Sequence, residues 1–198
     1  MFIRRVLPLL LIILLQSATH HRLAASSTTL AKTVKKGFIA GLIDQNGNSV
    51  SHRRFAGKPT LVHFGFTYCP EVCPTTLNEV ATLMAKLGPD AERINFVFVT
   101  VDPARDTADV LKNYISYFDE RITGLTGSEN AIAALAKSFN TTYAKRPYDG
   151  GYSMDHAIFA YLKDSKWRTA GTLYMGVGAN RDFVMKKLGP LLDDASNK

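Results

Sequence analysis

The chain has 198 residues, 46% of them hydrophobic and 21% charged. That size and balance suit one folded domain with short extensions and exclude a disordered, collagen-like or polytopic membrane protein. The net charge of +7 does not mark a nucleic-acid binder: residues 1–43 hold six basic and no acidic side chains, while the rest of the chain holds 18 basic against 17 acidic.

The N-terminal basicity belongs to a targeting segment. Arg4 and Arg5 precede the apolar run VLPLLLIILL (6–15), followed by QSATHHRLAASS. Ten apolar residues fall short of the roughly 20 that span a bilayer, and a basic start before a short apolar run is the pattern of a secretory signal. Residues 1–25 read as a signal peptide or an uncleaved membrane anchor, with Ala18 and Ala25 both possible ends. The absence of acid also fits a mitochondrial leader. Residues 26–36 are small and polar, a linker. The folded domain is expected over 37–192, with a tail over 193–198.

The domain opens with a hairpin signal, Asn46-Gly47 between two short extended runs. The apolar run 60–66 predicts a buried strand. Leu77, Val80, Ala81, Met84 and Leu87 recur at helical spacing, and Gly88-Pro89 ends that helix. INFVFVTV (94–101) predicts a second buried strand. Val110, Leu111, Tyr114, Ile115 and Phe118 mark an amphipathic helix, and RITGLTG a short strand. Ile132, Leu135, Ala136 and Phe139 mark a further helix with Ser128 as N-cap. AIFAYL (157–162) and WRTAGTLYM (167–175) flank a turn at Asp164-Ser165 and predict an antiparallel pair. Phe183, Val184, Leu188 and Leu191 mark the last helix. This alternation is an α/β architecture: a central mixed sheet flanked by helices, with an N-terminal β-hairpin.

Cys69 and Cys73 are the only cysteines. A disulfide between them closes so short a loop that it adds little stability, so a reactive or metal-binding pair is the better reading. They lie where a buried strand gives way to a helix, and thiols at a helix start lose protons more easily. One helical turn apart, both sulfurs can serve one soft metal ion. Two thiols do not fill a structural zinc site, so a histidine is the natural addition. His20 and His21 belong to the leader, and His52 reads as a solvated loop residue beside Arg53 and Arg54. His63, inside the buried strand, reads as a satisfied core histidine. His156 follows a glycine-rich loop at the start of a strand, where α/β domains carry sites. Asp155 beside it is a candidate to orient the imidazole. A strand-start histidine near water is the competing reading.

FGFTYCPEVCPTTLNE together with FVTVDPARDT and DHAIFAYL strongly resembles the Sco/SenC family (synthesis of cytochrome c oxidase). The similarity extends from about Phe38 to Leu191. It implies a thioredoxin-like fold and one copper, Cu(I) or Cu(II), held by Cys69, Cys73 and His156. Asp102, in the loop that lies near the metal in that family, is implied as a residue around the ligands, although Asp102 and Asp106 can equally be turn and helix-cap residues. Tyr68 and Ala157 depart from the family pattern beside two of the ligands. The implied function is delivery of copper to the dinuclear CuA centre of cytochrome c oxidase subunit II, after loading by an upstream copper donor. The alternative is a thiol–disulfide oxidoreductase that uses Cys69 and Cys73 to reduce the cysteines of that centre. Either role implies export, to a bacterial periplasm or the mitochondrial intermembrane space, with the membrane as a partner if the leader is an anchor. A peroxidase reading rests on the shared fold alone.

Overall fold

The computed structural model describes residues 41–196. The expected leader and linker lie outside the described residues. In chain order the strands are β1 (Leu42–Asp44), β2 (Thr60–Gly65), β3 (Asn95–Thr100), β4 (Thr123–Gly127), β5 (Tyr143–Tyr148), β6 (Gly151–His156), β7 (Phe159–Lys163) and β8 (Thr169–Tyr174). The helices are α1 (Val72–Leu87), α2 (Ala108–Ser116), α3 (Glu129–Ser138) and α4 (Arg181–Ser196).

Six strands form the central sheet in the order β1-β4-β3-β2-β7-β8. β2, β3 and β4 run parallel, and the remaining pairings are antiparallel. This is the mixed sheet of a thioredoxin-like fold. The central strands are apolar on both faces, as strands covered by helices must be. Leu61, Phe96 and Phe98 pack with Leu77 of α1, Leu111 of α2 and Leu188 of α4. The alternate residues Val62, Phe64, Val97 and Val99 pack with Ile132 and Leu135 of α3. β2 carries one titratable side chain between these faces, His63.

Most of the expected elements are present. α1 gives way at Gly88 to a short 3-10 turn containing Pro89. Ser128 caps α3 by accepting a hydrogen bond from the Ala131 N–H at 3.2 Å. β7 and β8 pair antiparallel as the sequence predicts. Three differences matter. The N-terminal hairpin is reduced to a single bridge, Ile43 to Ser49, and the ladder of β1 is made with β4 instead. α4 runs to Ser196, so the expected boundary at residue 192 falls inside a helix. The third difference is a separate two-stranded hairpin, β5–β6, where the sequence reading places a glycine-rich loop. Its two-residue turn is Asp149-Gly150, and Gly150 takes a φ of +85°, a backbone conformation that favours glycine at the second turn position. Among the described residues, no helix is long and apolar enough to cross a membrane.

One buried carboxylate ties the loop before the cysteines to the sheet. Asp106 accepts hydrogen bonds from the Thr67 N–H (3.0 Å), the Thr67 hydroxyl (2.6 Å) and the Thr100 hydroxyl (2.6 Å). Burial pushes its carboxyl above the usual range, against the pull of these donors. The cap of α2 is Thr107 rather than Asp106. Asp106→Ala leaves three donors of a buried or part-buried cluster unpaired, and is expected to cost roughly 3 kcal/mol in urea unfolding of the reduced chain.

Candidate metal centre

The cysteines straddle the start of α1. Cys69 lies in the loop after β2 and is half-buried, while Cys73 is in the first turn and fully buried. The Cys73 N–H donates to the Cys69 sulfur at 3.4 Å. A sulfur set against the free N–H groups of a helix start is favoured as the thiolate. The Cys69 pKa falls to about 3. The Cys73 thiol hydrogen bond contributes most, burial opposes, and His156 with the backbone of Cys73 and Glu71 adds to the pull. Cys73 moves the other way. Its hydrogen bond to Cys69, then burial, raise its pKa far above that of an ordinary thiol. The reduced pair is therefore one thiolate and one thiol at neutral pH.

Room for the Cys73 sulfur comes from β2. A Cβ at Gly65 would lie 2.4 Å from Cys73 Sγ and 2.8 Å from Phe98 Cε2. No side chain fits there without moving the sulfur.

His156 comes from the separate β5–β6 hairpin. It ends β6 rather than starting the next strand. Its Nε2 lies 3.5 Å from Cys73 Sγ, and its ring sits edge-on to Phe66. Its Nδ1–H donates to the Ala157 carbonyl at 2.9 Å. A carbonyl can only accept, so this contact fixes the proton on Nδ1 and aims Nε2 at the sulfurs. Burial works against protonation of His156, yet the Cys69 sulfur and the Ala157 carbonyl together hold its pKa above the ordinary value.

The two aspartates expected around the ligands act elsewhere. Neighbours on a strand point to opposite faces, so Asp155 points away from His156 and pairs with Arg146 across the hairpin. The role expected of Asp155 falls to the Ala157 carbonyl, which the side chain at position 157 does not supply. Asp102 does not reach the sulfurs either. It pairs with Arg105 and accepts a hydrogen bond from the Tyr152 hydroxyl at 2.9 Å. Arg105 also donates to the Tyr152 carbonyl at 3.0 Å and lies over the Tyr152 and Tyr68 rings. Asp102 and Arg105 thus hold β6, the strand that delivers His156.

His63 is the donor that sequence reasoning passes over. Its Nε2 is 4.0 Å from Cys73 Sγ, and its ring meets that of His156 edge-on at 5.8 Å. Its Nδ1 is buried with no partner at hydrogen-bond distance and angle, so it is not the satisfied core histidine expected from the sequence. Burial, then the neighbouring His156, lower its pKa to about 4. The available signal was a lone titratable residue in an otherwise apolar central strand. The Tyr114 hydroxyl, also buried without a partner, is kept protonated by burial first and by the nearby sulfurs second.

Soft sulfur and imidazole donors converging at one point suit Cu(I), Cu(II) or zinc. Residues 27–192 match the family model described as SCO1/SenC. The chain belongs to the SCO1/SenC family. It is 37% identical over 157 residues to a SCO2-like protein of Rickettsia prowazekii, covering 78% of this chain and 77% of that one. It is 36% identical over 146 residues to the mitochondrial protein SCO2 of Saccharomyces cerevisiae, covering 71% of this chain and 47% of that one. Among solved structures, ScoI of Bradyrhizobium japonicum with copper bound superposes with a TM-score of 0.71 at 38% identity, covering 76% of this chain and 96% of that chain.

Two outcomes test this SCO1/SenC site. With the thiolate proton already lost at about pH 3, iodoacetamide is expected to modify Cys69 of the reduced, metal-free chain at a nearly constant rate from pH 8 down to pH 5. An ordinary thiol slows by about three orders of magnitude over that range. Gly65→Ala is expected to lower the affinity of the reduced chain for a soft probe ion, Cd(II), and to destabilise it by about 1–3 kcal/mol through overpacking. Unchanged cadmium affinity would mean that the Cys73 sulfur has another place to go.

Proposed function

We propose that this chain is a copper metallochaperone, with Cys69, Cys73 and His156 as ligands to one copper ion. The observation that carries the reading is the His156 Nε2 at 3.5 Å from the Cys73 sulfur, with the Cys69 side chain interacting with both, in a chain whose relative ScoI of Bradyrhizobium japonicum is described with copper bound. Two thiolates and a neutral imidazole give the site a charge of −1 with Cu(I) and zero with Cu(II). Sulfur favours the first state and imidazole helps tolerate the second. Loading requires Cys73 to lose its proton, so oxidation of the pair to a disulfide switches binding off. The recipient is the CuA centre of cytochrome c oxidase subunit II, and an upstream donor supplies the metal. The domain works outside the cytoplasm, in a bacterial periplasm or the mitochondrial intermembrane space, free or held by an N-terminal anchor.

A second reading draws on the low pKa of Cys69. A half-exposed thiolate beside a buried thiol is also the arrangement of a thiol–disulfide oxidoreductase. In that role Cys69 attacks a disulfide on the recipient and Cys73 resolves the mixed disulfide. Copper titration of the reduced full-length chain separates the two. One equivalent of Cu(I) is expected to bind, and Cys73→Ser and His156→Ala to weaken that binding by at least about tenfold. A reductase needs only the cysteines, so undiminished copper binding and oxidase assembly in His156→Ala would sink the chaperone reading.

A further inference from the structure

The donors around Cys73 outnumber those that the proposed copper site uses. His63, Cys73 and His156 each offer one ligand atom, and these three atoms lie within 4.8 Å of one another. His63 is 3% exposed and Cys73 is 0% exposed. Buried polar atoms normally have hydrogen-bond partners, and exceptions call for a reason. The Cys73 sulfur is 4.0 Å from the Nε2 of His63 and 3.5 Å from that of His156. In the Nδ1–H tautomer the His63 Nε2 presents its lone pair to that sulfur. A cation at that point satisfies both.

Resting on the copper reading above, we propose that His63 is a fourth ligand, through Nε2, in a two-sulfur, two-nitrogen site. Copper takes the place of the Cys73 proton. Tetrahedral two-sulfur, two-nitrogen sets are established for zinc, and soft thiolates select Cu(I). β2 and α1 supply His63 and Cys73, and β6 supplies His156, so three donors stand on regular elements. Cys69 stands alone on a loop and, like His156, is partly exposed. An incoming thiolate displaces Cys69 first, while His63, Cys73 and His156 still hold the metal. His63 thereby keeps the ion bound during exchange.

The test uses the reduced full-length chain with Cu(I) alone. Long-range proton–nitrogen NMR of the 15N-labelled wild type follows the His63 Nε2 signal before and after one equivalent. The expected result is movement of that signal from the value of a free lone-pair nitrogen towards that of a bonded one. His63→Phe, an aromatic replacement of similar size, is expected to bind Cu(I) at least about tenfold more weakly in competition with a chromophoric chelator. A His63 signal unmoved by bound copper overturns the proposal whatever the variant does. An affinity within about twofold of wild type in a folded His63→Phe chain overturns it too. If the wild type binds no copper, the copper reading and the fourth ligand fall together. If the wild type binds copper and His63 is silent, only the fourth ligand falls.

Discussion

The sulfur of Cys73 occupies the volume that a side chain at position 65 would need. Everything else in the site is arranged around that contact. It forces a glycine at the end of β2, buries the sulfur beneath the first turn of α1, and leaves imidazoles as its polar neighbours. Its hydrogen bond to Cys69 raises the cost of ionising this thiol, and burial raises it further. The same hydrogen bond is the largest reason that Cys69 is a thiolate. The mutual hydrogen bond, together with the burial that Gly65 permits, separates the two thiols into an outer nucleophile and an inner, protonated donor.

Two polar clusters hold the segments that reach this point. Asp106 secures Thr67, two residues before Cys69, to Thr100 at the end of β3. Asp102 and Arg105 secure Tyr152, four residues before His156. Both clusters come from the stretch between β3 and α2. That one connection thus positions the thiol loop and the histidine hairpin together. Its aspartates matter through the backbone they hold rather than through contact with a metal.

Much of the fold is legible in the sequence because its signals are local. Apolar runs mark β2 and β3, helical spacing marks α1 to α4, and Ser128 marks its own cap. The β5–β6 hairpin is less legible, since its strands are largely exposed and lack an apolar pattern. Its Asp149-Gly150 turn was the available signal. The orientation of Asp155 follows only once His156 is known to lie within a strand, where neighbours face opposite ways. His63 looks like core because its environment is core, and nothing in a linear run of apolar residues says what stands across from it.

The sequence by itself determined the chemistry on offer: two thiols one turn apart at a helix start, a distant histidine, and an α/β frame to carry them. Spacing and residue type suffice there, because helix periodicity and thiol acidity are short-range properties. Tertiary structure alone decided which thiol is ionised, which carbonyl sets the His156 tautomer, and that His63 faces the same sulfur. Those are matters of burial and of contacts between distant residues, such as Cys73 and His156, 83 positions apart. Such distances in the chain are closed only when the sheet and its helices pack.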